Sequence, residues 1–155
     1  MNDYVSENHA KFGRPLLPDG RRSFTVGQAN RSLLLVKRIV ADVMDLHVDW
    51  LECQETCELL RTRGGAHVRL AERRLADVTQ RLHACIEDLR EVGVELRDWS
   101  LGIVDFPGHA VGREIRLCWR WGEQRVEFWH EVGEGYVHRQ PLHTLIAEGA
   151  MLGAT

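Results

Sequence analysis

The sequence predicts an α+β fold, a long antiparallel helical hairpin followed by a three- to four-stranded antiparallel β-meander. Three observations carry that prediction. Apolar residues recur at three- and four-residue intervals from Val26 to Val92, a glycine pair at Gly64 and Gly65 interrupts them once, and short apolar–polar alternations between turn signals replace them from Val94 onward. At 155 residues the chain suits one domain, long enough to bury roughly 70% of its unfolded surface.

The helical part has a marked start. Thr25 followed by Gln28 has the form of a capping box, with Phe24 placed to act as half of a hydrophobic staple. From there Ala29, Leu33, Val36, Val40, Val43, Leu46, Trp50, Cys53, Cys57 and Leu60 mark one stripe. The stripe predicts a helix of about 35 residues and about 50 Å. Its spacing slips near Leu46 and His47, where a polar residue in the seam is expected. A second stripe, Val68, Ala71, Leu75, Val78, Leu82, Cys85, Leu89 and Val92, runs unbroken to Gly93, which has the character of a helix C-terminal glycine. Two helices joined by so short a turn fold back on each other. The first is longer, so its first turns are left to pack on the strands beyond the hairpin.

Four strands are expected after the hairpin, over Val94–Arg97, Ile103–Phe106, Ile115–Arg120 and Arg125–His130, with turns at Asp98–Gly102, Pro107–Gly112 and Trp121–Glu123. Short links between consecutive strands make a meander. Residues 1–22 mix glycine, proline and charge without period and read as a flexible tail. Residues 23–155 read as one domain, with the hairpin over 23–93, the sheet over 94–142 and a tail or short helix over 143–155.

Composition excludes several function classes. The net charge is −3, and all of the 20 basic residues except Lys11 and Lys37 are arginines. Such a near-balanced chain offers no broad basic face for tracking phosphates, so nucleic acid is not an expected partner. The N-terminus has no apolar signal segment and no run is long enough to span a membrane, which predicts a cytoplasmic protein. Cys53, Cys57, Cys85 and Cys118 then read as free thiols. A zinc site built from the first three with His47 or His83 is a weaker reading than small core residues on helix faces.

The polar residues of the sheet are the candidate site. His130 ends the last strand, Asp105 sits between Val104 and Phe106 where a carboxylate needs a cationic partner, and Arg120 or Arg139 is available as that partner. Glu123 lies in a turn, and Arg139 beside Pro141 is able to hold a carboxylate or phosphate. An even-numbered loop at Gly122-Glu123 would pair Trp119 with Val126, Leu117 with Phe128 and Ile115 with His130. That register puts Cys118 and His130 on opposite faces, with His130 on the helix side, and argues against both a thiolate–imidazole dyad and a Cys/His metal site. Cys118 would instead sit in a ladder of Arg116, Arg120 and Glu127. Gly133 and Gly135 lack the following helix of a phosphate-binding loop.

Four segments, GIVDFP at Gly102–Pro107, LCWRWGE at Leu117–Glu123, FWH at Phe128–His130 and RQPL at Arg139–Leu142, are similar to motifs of a bacterial family catalogued as domain of unknown function 2203. The resemblance runs from Phe24 to Leu142. It implies no assigned activity, and its motifs emphasise Asp105, Cys118, Arg120, Glu123, Trp129, His130 and Arg139.

Two functions of different kinds are expected. One is a non-enzymatic interaction module that self-associates as a homo-oligomer through the hairpin, with Trp50, Leu51, Leu59 and Leu60 reaching for a second hairpin. The other is a site for a small-molecule ligand or a divalent metal at the end of the sheet, with hydrolysis as its chemistry. Asp105, Glu123 and His130 would be its metal ligands, and Arg120 and Arg139 would join them around a bound molecule.

Overall fold

The computed structural model describes Leu17, Gly20, Arg21 and residues 23–145. Most of the expected N-terminal tail lies outside the described residues. So does the expected C-terminal segment beyond residue 145, although residues 142–145 do take helical backbone.

Helix α1 spans Val26–Arg63 and helix α2 spans His67–Val92. The capping box forms as expected: Gln28 N–H donates to Thr25 Oγ1 at 3.2 Å, and Thr25 N–H donates to Gln28 Oε1 at 2.9 Å. Gly93 ends α2 in the left-handed region at φ +95°, where its N–H donates to Leu89 O. Trp50, expected at the outer face of the hairpin, also ties the two helices together. Its indole N–H donates to Thr79 Oγ1 across the two helices at 3.1 Å. The polar seam position is filled by His47, whose ring lies beside those of Trp50 and Trp99. Among the described residues no helix is long and apolar enough to cross a membrane.

Five strands come after the hairpin, β1 Glu95–Asp98, β2 Ile103–Ala110, β3 Arg113–Arg120, β4 Phe128–Glu131 and β5 Gln140–Pro141, in one antiparallel sheet of order β1-β2-β3-β4-β5. The last, of two residues, extends the expected meander. Inner-face residues Val104, Phe106, Ile115, Leu117, Trp119 and Trp129 join Ala29, Leu33, Val36, Val40 and Val43 of α1 in one buried cluster. The sheet therefore rests on the first half of α1, as the unequal helix lengths require.

Two boundaries differ from the sequence reading, and both move the site. Pro107 does not start a turn; β2 continues through it to Ala110, opposite Arg113. Beyond Asp105 the outer edge of β2 has no further β1 partner, and Phe24 N–H donates to Pro107 O there at 2.6 Å. In a strand N and O of one residue point the same way, so the N–H that proline lacks would have faced this sparsely paired edge. The turn itself is only Val111 and Gly112, both at positive φ (+52° and +73°), the arrangement of a two-residue hairpin.

The second difference lies between β3 and β4. Leu117 pairs with Trp129, Cys118 with Phe128, Arg116 with His130 and Ile115 with Glu131, one residue away from the expected register. The connection draws Val126 off the sheet, where its N–H donates to Asn30 Oδ1 of α1 at 2.7 Å, and Lys37 Nζ donates to Gln124 O. Freed from a tight turn, β4 places its larger aromatic, Trp129, inside. A one-residue shift exchanges the two faces of a strand. His130 is consequently on the outer face together with Cys118, not on the helix face.

Candidate functional site

Three strands deliver one side chain each to the middle of the outer face. Asp105 of β2 is directly opposite Cys118 of β3, and His130 of β4 is opposite Arg116, two residues from Cys118 on the same side. The donor atoms of Asp105, Cys118 and His130 all lie within 4.8 Å of one another, and all three residues are buried. A charged carboxylate and an imidazole without solvent are costly unless paired.

Most of that pairing is internal. His130 Nε2 lies 3.0 Å from Asp105 Oδ2, and its Nδ1 lies 2.8 Å from the backbone oxygen of Glu131. A carbonyl only accepts, so Nδ1 carries a hydrogen. Burial works against the charged imidazole, but the bonds to Asp105 and to Glu131 O outweigh it and raise the His130 pKa above the usual value. Arg97 Nε stands 3.5 Å from Asp105 Oδ2. The expected cation for Asp105 was Arg120 or Arg139; the bulge between Leu96 and Asp98 brings Arg97 instead.

Asp105 Oδ1 has no hydrogen-bond partner among the described residues. Burial, the charge of Asp105 and its contact raise the Cys118 thiol to about 12 against the opposing pull of Arg139. Although that thiol faces the carboxylate, a sulfhydryl is a weak donor and leaves Oδ1 effectively unsatisfied. The ladder expected around Cys118 does not form. Arg116 bonds Glu114 and approaches Glu95, both to the side of it.

A nucleophilic dyad is disfavoured here, though for a different reason than opposite faces. Both nitrogens of His130 are already engaged, so neither accepts the thiol proton, and a thiol near 12 supplies almost no thiolate at neutral pH. The arrangement has a different chemistry, that of mixed S, N and O donors converging on one point.

Glu123 and Arg139 form a separate brace beside this cluster. Glu123 Oε1 accepts from Arg120 N–H at 2.6 Å and from Arg139 Nη1 at 2.8 Å, so it is far from simply solvated. Arg139 is stacked between Phe128 at 3.9 Å and Tyr136 at 4.2 Å. Burial opposes its charge, but Glu123 outweighs that and raises its pKa. Arg120 Nη1 donates to Tyr136 Oη. The brace pins the β3–β4 connection to the segment after β4 and sets Arg139 beside Cys118.

The family described as "Uncharacterized conserved protein (DUF2203)" matches residues 22–142. The chain belongs to this family. No curated protein and no solved structure matches it. All the residues of the cluster and brace fall inside the DUF2203 region. Of the site residues read from the sequence, the DUF2203 fold brings Asp105 and His130 together, and places Glu123, Arg120 and Arg139 in the brace. Arg97 was missed, and Cys118 was set aside because the expected register put it on the face opposite His130, which the observed pairing overturns. The signal for Cys118 was the spacing itself: a two-residue turn at Val111 and Gly112 sets Asp105 opposite Cys118, which a turn drawn from Pro107 hides.

Among the described residues, Cys53, Cys57 and Cys85 make no metal-ligand group with His47 or His83. Cys53 belongs to the apolar cluster and Cys85 packs against it.

Proposed function

We propose that this protein binds a thiophilic divalent transition-metal ion, zinc being the best match, through Asp105, Cys118 and His130. The convergence of three different donor atoms within 4.8 Å, with one carboxylate oxygen unsatisfied, carries the reading. Thiolate, imidazole and carboxylate together suit zinc, whose bonds to them are roughly 2.0–2.3 Å. The Nδ1–H bond of His130 to a backbone oxygen is the usual brace of a ligating histidine, since it turns Nε2 toward the ion. Charge also balances. With hydrogens on both His130 nitrogens, aimed at Glu131 O and Asp105 Oδ2, one dication in place of the Nε2 and thiol protons leaves the total unchanged. Three protein donors are one short of a closed tetrahedral site.

Relative to the sequence expectation, Cys118 replaces Glu123 among the ligands. Protein produced without a histidine tag should contain about one equivalent of metal by elemental analysis. Cobalt substitution should give a sulfur-to-cobalt charge-transfer band, absent in Cys118→Ser. Metal-free protein that also fails to take up zinc or cobalt would overturn the proposal.

A second reading, self-association through the hairpin, is favoured by one observation. Leu34, Val48 and Leu59 are 79%, 55% and 59% exposed. Their spacing sets them within about 40° on the side of α1 away from its early core stripe. Light scattering should then report a homo-dimer or higher oligomer that Val48→Glu dissociates; a monomer at high concentration refutes it.

A further inference from the structure

A second concave region lies away from the metal cluster, between the middle of the hairpin and the β1–β2 turn. It is a cavity of about 320 Å³ lined by His47, Trp50, Thr79, Leu82, His83 and Trp99, within the usual size of small-ligand pockets. Three rings meet there. His47 and Trp50 lie 6.4 Å apart and within 13° of parallel, and Trp99 lies 6.0 Å from His47.

The rings are held before any ligand arrives. Trp50 is tied through its indole N–H to Thr79, whose own hydroxyl donates to Leu75 O. Trp99 rides on a turn fastened by Asp98, whose carboxylate accepts from Ser100 N–H at 2.9 Å and Leu101 N–H at 2.7 Å. Held rings lose little freedom on binding, which favours affinity. Trp99 is still 36% exposed, so a large apolar ring is kept in water by a turn built to keep it there. Burial of its remaining surface is an available driving force.

The lining selects a class of ligand. No aspartate, glutamate, lysine or arginine lines the cavity, so an anion taken out of water finds no opposite charge there and a cation finds only the indole faces, which is why a cationic control is needed. Its polar groups are imidazoles: His47 makes one long contact to Ser100 Oγ, and among the described residues His83 makes no hydrogen bond or ion pair. An imidazole both donates and accepts, which matches the mixed edge of a heteroaromatic ring. We infer that the pocket formed by His47, Trp50, His83 and Trp99 binds an uncharged planar heteroaromatic molecule, stacked on the indoles with its edge toward the histidines.

Adenine is a suitable probe, with cyclohexanol as an apolar non-planar control and benzyltrimethylammonium as a cationic one. Titration followed by indole N–H resonances should give saturable shifts for Trp50 and Trp99, and not for Trp119, Trp121 or Trp129. Trp99→Ala removes a ring that is about two-thirds buried and should lower the melting temperature by several degrees without unfolding the protein at the assay temperature, while weakening adenine at least tenfold; His83→Ala, at an exposed residue, should weaken it less and keep the melting temperature. Three results would each overturn the inference: no saturable shift with adenine, equal binding by Trp99→Ala, or tighter binding of either control. Concentration-dependent shifts of the same two indoles without ligand would also overturn it, because a second copy of the chain would then cover the pocket. The metal content of the protein has no bearing on the outcome, so this test stands or falls separately from the metal site.

Discussion

Truncating two adjacent aromatics of β4 separates the observed register from its rival. Trp129 is 1% exposed on the helix face, whereas Phe128 is half-buried on the outer face. Trp129→Ala removes a fully buried indole, at about 3–5 kcal/mol. It also removes the indole N–H bond to Thr144 Oγ1 at 2.9 Å, about 1 kcal/mol more. Phe128→Ala loses about half of a buried ring's contribution, roughly 1.5–2.5 kcal/mol, and the Arg139 guanidinium 3.9 Å above it, about 0.5–1 kcal/mol. With a urea slope of about 2 kcal/mol per molar, the midpoint should fall about 2–3 M for Trp129→Ala and about 1–1.8 M for Phe128→Ala. A Trp129→Ala protein too unstable to fold, beside a folded Phe128→Ala, gives the same ordering. In the register expected from an even loop Phe128 would be inside and Trp129 outside. A larger midpoint loss for Phe128→Ala than for Trp129→Ala would therefore refute both the register and the site it assembles.

Gly102→Ala should destabilise by about 3 kcal/mol or more, measured by the same urea titration, since left-handed backbone costs roughly 1–2 kcal/mol for other residues. In addition a Cβ at Gly102 (φ +66°) would stand 2.7 Å from Met44 Sδ and 2.8 Å from Trp121 Cβ. Cys118 should resist a thiol reagent at about pH 8 until the protein unfolds, because its thiol is buried and raised to about 12; rapid native modification at Cys118 would contradict the site geometry. His130 has a raised pKa, so its contribution to stability is complete below the unfolded value of about 6.5 and is lost as pH rises through the folded one. Metal-free protein should accordingly lose urea resistance as pH rises from about 6.5 through the higher folded value, and Asp105→Asn should flatten that dependence. Glu131 has the opposite sign: the bond from Arg113 lowers its pKa below 4.5, and its contribution vanishes as pH falls through the folded value. At a partly exposed pair this should amount to under about 1 kcal/mol, which Glu131→Gln measures.

The helices were legible because their signals are local. The Thr25–Gln28 cap, the Gly64-Gly65 break and the apolar stripes each lie within a few residues of the structure they specify. The sheet was legible in class but not in register. Pro107 is a turn residue by composition, and only the way Phe24 meets its carbonyl shows why it is tolerated in a strand. Val111 is a poor residue for a positive φ, so nothing in the sequence advertised the two-residue turn. The β3–β4 register depends on Asn30, ninety-six positions from the Val126 amide it accepts. No reading of strand pattern alone contains that contact.

Site and core are coupled through strand periodicity. Trp129 and His130 are neighbours in the chain, so in an extended strand one must face the helices when the other faces outward. The same holds for Cys118 between Leu117 and Trp119, and for Asp105 between Val104 and Phe106. In each of the three strands a buried apolar neighbour fixes the side of the polar residue, and the three polar residues meet only if all three registers are kept. The cost of slipping one strand is then the exposure of a large apolar side chain, several kcal/mol for Trp129 alone. That cost exceeds what the Asp105–His130 bond could enforce by itself, about 1.5–3 kcal/mol for a charged pair. Packing against α1 positions the donors, and the donors need contribute little to the fold in order to be found together. Removing one of them, as in Cys118→Ser, should therefore abolish metal uptake while leaving the sheet and its register in place.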